Sequence, residues 1–238
     1  MDLVVPHRRE GPLVEAVLVD RPNRFLGIVR LADGREVEAH IGDRGRLEEV
    51  LRPGAEVLLA PAASPTRRTS FALVCARAEG GVLVSIDPAN ANRLVRALLD
   101  ARLLDLPPHG AIAQEVRHGS SRFDFALALD DGRRILLEVK SAGVARDGVA
   151  LFPDAPSERA ARHCRELTEL SRSGEPAAVV LVAQRGDAHA IAPHPVDPDF
   201  ARALAEAAAS GVILRGAAFD VAPEGFRYLG PIPVELSR

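Results

Sequence analysis

Lysine is almost absent: Lys140 is the only one in 238 residues, and the other 29 basic side chains are arginine. A chain that takes Arg wherever a generic cation will do makes its one retained Lys informative, because a compact ammonium and a planar guanidinium are not interchangeable. Tryptophan is missing, tyrosine occurs once, and eight Phe make up the rest of the aromatic content. Stacking platforms for bases are therefore few, and core packing is the default expectation for Phe25 and Phe71, the two Phe residues before residue 87. Cys75 and Cys164 lie far apart with no metal-ligand spacing near either. That excludes a disulfide scaffold and a zinc knuckle, and both read as small buried hydrophobes in a reducing compartment.

Charge of one sign is also lacking. Thirty-three acidic against 30 basic residues leave a net −3, so no global basic field draws the chain to nucleic acid or lipid. Any polyanion site must be a local patch. The longest apolar run, Ala177 to Ala183, is far too short to span a bilayer, and the opening Met-Asp-Leu-Val-Val-Pro has no secretory pattern. The expectation is a soluble, cytoplasmic protein without membrane contact.

What is present is enough to build a core: 47% of residues are hydrophobic, and the length suits one or two domains. Residues 1–86 carry six short alternating stretches: 13–19, 25–31, 35–40, 56–61, 71–76 and 82–86. Asp33-Gly34 is a hairpin signal between two of them. Closing them into a small OB-like β-barrel avoids long unpaired edges.

Residues 87–238 read differently. Leu94, Val95, Leu98, Leu99 and Leu103 recur at helical spacing after Asp87-Pro88. Stretches 113–117, 122–129 and 134–140 follow, with turns at Gly119-Ser120 and Asp131-Gly132, and predict an antiparallel meander. Helices over 157–171, capped by Ser157, and 198–210 alternate with buried strands at 179–183 and 212–214. The fold class is β plus α/β, a barrel followed by a mixed sheet flanked by helices.

The chemistry concentrates on the meander. Asp124 lies on its middle strand, and Glu138 and Lys140 lie two residues apart, hence on one face, of the next strand. The Asp-Gly turn sets a register that brings Asp124 near Glu138. Two carboxylates held together on a sheet repel unless a hard divalent cation, Mg²⁺ or Mn²⁺, neutralises them. Such a cation with a Lys beside it suits phosphodiester hydrolysis. The alternative at this level is a hairpin with an ordinary cross-strand ion pair.

Several motifs in order then point to a family: Arg21-Pro-Asn-Arg-Phe-Leu26, His40 followed by Gly45-Arg46-Leu47, Asn92-Arg-Leu-Val95, Glu115-Val116, Ser121-Arg-Phe-Asp-Phe125, Leu137-Glu-Val-Lys140, Leu151-Phe-Pro-Asp-Ala155, Arg159 and His163. Across nearly its whole length the chain resembles the sugar fermentation stimulation protein A family, whose members join an OB-like domain to a nuclease-like domain of the PD-(D/E)xK type. The resemblance implies that Asp124, Glu138 and Lys140 occupy the three signature positions. It also implies that Glu115 and Asp154 are acidic residues able to reach the same metal, with Arg159 and His163 as a second tier. DNA binding and a role in regulating sugar metabolism come with it.

In the barrel half Arg21, Arg24, Arg44, Arg46, Arg67 and Arg68 lie in or beside loops and form the candidate nucleic-acid patch, although 12 Arg and 12 acidic residues balance there overall. No recognition-helix motif is visible, so backbone contact without sequence reading is expected. The resulting expectation is a DNA-binding protein with a nuclease-like Mg²⁺ or Mn²⁺ site. An active nuclease on DNA or RNA is the second reading, and a small-molecule or protein-partner module with a structural ion the third.

Overall fold

The computed structural model describes residues 2–8, 11–43, 45–61, 68–119 and 121–236. A short strand, β1 (Val4–Pro6), precedes five strands of the first half: β2 (Val14–Asn23), β3 (Leu26–Leu31), β4 (Glu36–Ile41), β5 (Glu56–Pro61) and β6 (Phe71–Arg77). Alternation along β2 turns Ala16 and Leu18 inward and Glu15 and Val17 outward. At the Asp33-Gly34 turn Gly34 sits at φ +86°, the Leu31 N–H bonds the Arg35 carbonyl at 2.9 Å, and the Asp33 carboxylate accepts the Arg35 N–H at 3.0 Å. The order β4-β3-β2-β5-β6 closes when β6 returns to β4 in parallel, from Ala39↔Phe71 to Ile41↔Leu73. That is a five-stranded OB-like barrel, filled by Leu18, Val29, Ile41, Leu59 and Leu73.

The sixth stretch expected in the barrel lies outside the closure. β7 (Leu83–Ser85) pairs only with β6 in the sheet, and Val84 bridges to Arg185 in the second half. Its Leu83 packs with the second half's core, so β7 serves as a seam.

The second half contains α1 (Ala89–Asp100), β8 (Ile112–His118), β9 (Ser121–Ala128), β10 (Arg134–Ala142), β11 (Val144–Arg146) and β12 (Val149–Phe152). It continues with α2 (Glu158–Arg172), β13 (Ala177–Ala183), β14 (Ala190–Pro193), α3 (Pro198–Ala209), β15 (Ile213–Ala222) and β16 (Gly225–Ile232). β8, β9 and β10 form the expected meander, and Gly132 at φ +86° makes the second Asp-Gly turn. β10, β13 and β15 run parallel, and the seven-stranded order is β1-β16-β15-β13-β10-β9-β8. Val4–Pro6, counted above with the barrel half, is thus the far edge of this sheet, with Val5 buried against it. β11, β12 and β14 form a small second sheet that periodicity did not reveal, because the strands are only three or four residues long.

Helices cover both faces. Leu94, Val95, Leu98 and Leu99 of α1 pack on Leu137, Val139, Val180 and Val182. Cys164 and Leu167 of α2 and Phe200 and Leu204 of α3 pack on Leu136, Val179 and Leu181. β13 is buried on both sides, which explains its unbroken apolar run. Ser157 caps α2 through the Ala160 N–H at 3.2 Å, and Asp197 caps α3 through the Phe200 N–H at 3.0 Å. The α1 core also takes in Leu58, Ala60, Val74 and Cys75 from the barrel wall, so the two halves share one hydrophobic cluster. Cys75 and Cys164 are free and buried, and burial pushes each thiol up to about 12. No helix among the described residues is long and apolar enough to cross a membrane.

Candidate active site

The site lies where β9 and β10 part. Their ladder runs from Arg134↔Ala128 to Leu137↔Phe125 and stops one rung short of pairing Glu138 with Asp124. There the Asp124 carboxylate takes over from the backbone: Oδ2 accepts the Val139 N–H at 2.8 Å, and Oδ1 accepts the Asn92 side-chain N–H of α1 at 2.8 Å. Burial, and then the charge of Glu138, push the Asp124 pKa up to about 6, against the opposing pull of those two hydrogen bonds.

Glu138 and Lys140 point to the other face, toward α2, and both are buried, at 3% and 8% exposure. Lys140 Nζ lies 2.5 Å from Glu138 Oε1, and His163 Nδ1 of α2 lies 2.6 Å from the same oxygen. Burial drives the Glu138 carboxyl upward, but His163 and Lys140 outweigh it and hold it below the ordinary range. The Lys140 ammonium also sits 5.9 Å from the centroid of the Phe152 ring, which packs edge-on against Phe200 at 5.1 Å. Each of two helices on opposite faces therefore reaches the strand gap with a polar side chain: Asn92 hydrogen-bonds Asp124, and His163 stands against Glu138 in close N···O contact.

Glu138 Oε2 is left over. It is buried and has no hydrogen-bond partner among the described residues. Glu138 is one of the residues lining a cleft of about 430 Å³ between the two halves, with Asp124, Lys140, Ser141, Asp154 and Arg159 from one and Asp43, Leu47 and Ser85 from the other. A buried carboxylate oxygen without a donor costs free energy that a cation would recover, and oxygen donors of this kind suit a hard divalent ion. Among the described residues no three His, Cys, Asp or Glu side chains form a ready-made cage. The donor set fits Mg²⁺, which keeps water and substrate oxygens and takes only one or two carboxylates.

Comparison with known proteins agrees in extent. A family model for the sugar fermentation stimulation protein RE domain matches residues 89–225, and one for the SfsA N-terminal OB domain matches residues 19–86. The chain belongs to the SfsA family. Among its relatives, the sugar fermentation stimulation protein homolog of Moorella thermoacetica is 42% identical over 227 residues, covering 94% of this chain and 97% of that one. The homolog of Chloroflexus aggregans is 42% identical over 237 residues, covering 98% and 89%. A solved structure described as Pyrococcus furiosus SfsA in complex with Ca²⁺ superposes with a TM-score of 0.86 at 30% identity, covering 97% of this chain and 99% of that one.

In this SfsA family member the cleft gathers Asp124, Glu138, Lys140, Asp154 and Arg159. Asp154 is engaged from the barrel, its Oδ2 accepting the Leu47 N–H at 3.1 Å. His163 stands behind Glu138, buried against Phe123. Glu115 does not line the cleft: it projects from edge strand β8 into an exposed ion pair with Arg122 at 2.7 Å. A left-handed backbone at Glu115, φ +55°, interrupts the β8–β9 pairing between Gln114↔Phe125 and Val116↔Phe123.

The arginines divide as well. Arg21 turns its guanidinium to the carbonyls of Arg24, Gly45 and Arg46, bracing two loops. Arg24, Arg46 and Arg68 are exposed, while Arg44 and Arg67 lie outside the described residues. Sequence reasoning placed Asn92 in a motif without giving it a role, and it missed Asp43. Asn92 had a signal, a polar residue in the first turn of an otherwise apolar helix face, but Asp43 reaches the cleft only through tertiary packing. The default of core packing for Phe25 is corrected: the ring is 47% exposed, whereas Phe71 packs on the barrel core.

Proposed function

We propose that the chain binds DNA without reading its sequence and hydrolyses phosphodiester bonds with a Mg²⁺ or Mn²⁺ ion held by Asp124 and Glu138. The observation that carries this reading is Glu138 Oε2, a buried carboxylate oxygen without a hydrogen-bond partner among the described residues, on a side chain that lines the cleft together with a buried lysine. The solved relative's description as a Ca²⁺ complex supports a divalent site in this family. When bound, the cation would supply Lewis acidity to a phosphoryl oxygen and lower the pKa of an attacking water.

The rest is the work of this chain's residues. Lys140 presents a positive point charge to the developing charge of the phosphorane, and the Phe152 ring and Glu138 hold it in place. Asn92 and the Val139 N–H orient Asp124, and His163 orients Glu138. Arg159, exposed on the first turn of α2, offers a phosphate contact at the cleft rim. Among the described residues the three α-helices are packed on the sheet or its core, which fits DNA contact without base readout.

The test is incubation of labelled single- and double-stranded DNA with the wild type, Asp124→Asn and Lys140→Ala, in Mg²⁺, Mn²⁺ or EDTA. Cleavage by the wild type alone, and only with metal, is expected. Salt-dependent binding with no cleavage in any metal would leave a non-catalytic DNA-binding protein. Stabilisation by Mg²⁺ with no binding at low salt would leave only an ion site.

A further inference from the structure

The exposed Phe25 ring is unexplained by the cleft. Among the exposed large hydrophobic side chains of the described residues it is the only aromatic one. Its backbone is held in place: the Phe25 N–H bonds Asn23 Oδ1 at 2.9 Å, and its carbonyl accepts the Ile41 N–H at 2.9 Å. An aromatic ring carried on an anchored backbone has only its two side-chain torsions to lose when a flat ligand stacks on it. Phe25 borders a hollow of about 430 Å³ whose other walls among the described residues are Asn23, Leu26, His40, Arg68 and Thr69, none of them acidic. An aromatic face beside a guanidinium, an imidazole and an amide suits a base with its phosphate better than an apolar peptide side chain.

The hollow is mechanically joined to the cleft. Arg21 bonds the carbonyl of Arg24, next to Phe25, and also those of Gly45 and Arg46. Gly45 in turn rests on the carboxylate of Asp154, which lines the cleft. Exposed Arg24 and Arg46 lie on this route.

We propose that the Phe25 hollow stacks an unpaired nucleobase of a single strand whose backbone runs past Arg24 and Arg46 from the cleft. The proposal rests on the nucleic-acid reading above and adds a requirement for an unstacked base. It implies that single strands, or duplex ends that can fray, bind more tightly than closed duplex.

The test compares a fluorescent oligothymidylate with an abasic oligonucleotide of the same length, by anisotropy at low salt in EDTA, so that binding is read without turnover. The wild type should prefer the thymidylate by roughly tenfold. Phe25→Leu should abolish the preference and Phe25→Trp should keep it, with unchanged melting temperatures showing that both variants are folded. An undiminished preference in Phe25→Leu would overturn the stacking site and leave the nucleic-acid reading standing. Wild type that binds neither oligonucleotide nor duplex DNA would overturn that reading, and this proposal with it.

Discussion

Gly45 of the barrel and Asp154 of the α/β half are in such close contact that a Cβ on residue 45 would overlap the carboxylate. The turn around Gly45 is built for this: Asp43 Oδ1 accepts the Gly45 N–H at 2.7 Å, and the Leu47 N–H bonds Asp154 Oδ2 at 3.1 Å. Burial, with Asp154 nearby, raises the Asp43 pKa, so the two carboxylates are felt across the seam. The barrel loop is therefore part of the wall of the candidate site.

Gly45→Ala should destabilise the protein by about 1–3 kcal/mol, the usual cost of forcing a methyl into packed space. Asp154→Ala should relieve much of that cost, so the double variant should lose less than the sum of the two single losses. Denaturant unfolding of all four proteins measures the coupling, and strict additivity would mean that the two residues do not interact.

Asp124 sets a pH dependence. Its folded-state pKa of about 6 lies above the ordinary 3.8, so folding favours the protonated form. The stabilisation is fully present below about pH 4 and is lost as pH rises through about 6, a difference on the order of 3 kcal/mol. In EDTA Asp124 should therefore make the melting temperature fall between pH 5 and pH 8, against the opposite pull of His7 and His194, whose pKa values burial lowers. The fall should be smaller in Asp124→Asn, with a remainder from Asp43, whose pKa is raised as well. Mg²⁺ should raise the melting temperature more at pH 8 than at pH 5, because the cation replaces the proton.

Lys140→Arg keeps a positive charge but puts a planar fork where 2.5 Å to Glu138 and the Phe152 ring leave room for an ammonium. Single-turnover cleavage should fall by about a hundredfold or more. DNA binding in EDTA should stay within a few-fold of wild type. Equal losses in both assays would assign Lys140 to binding.

His163→Ala should cost about 2–3 kcal/mol and weaken Mg²⁺ affinity, since it removes one of two partners from a buried carboxylate oxygen. His163→Gln can again offer a donor to Glu138 and should recover part of both. Calorimetric Mg²⁺ titration beside thermal melts checks this, and an unchanged affinity would confine His163 to packing.

Much of the site is legible in the sequence because its logic is local. Glu138 and Lys140 share a face through the two-residue period of β10, and Asp131-Gly132 sets the register that carries Asp124 toward them. Ser157 and Asp33 can be assigned to their cap and turn for the same reason. Glu115 was misleading because a left-handed residue on an edge strand turns an acid in the right stretch of chain out to solvent. Phe25 was misread because an apolar residue at a hairpin tip looks like any other strand residue until the closure of the barrel shows which side is inside.

Composition, alternation and turn chemistry alone determined the barrel, the meander, the Ser157 cap and the grouping of Asp124, Glu138 and Lys140, because each depends on residues within a few positions or one hairpin of each other. Only the tertiary structure decided that β1 crosses to the far edge of the large sheet, that Asn92 and His163 reach the same gap from opposite faces, and that Gly45 seats Asp154. These contacts join residues from 25 to more than 200 positions apart, where no period or spacing links them and only packing of the whole chain does.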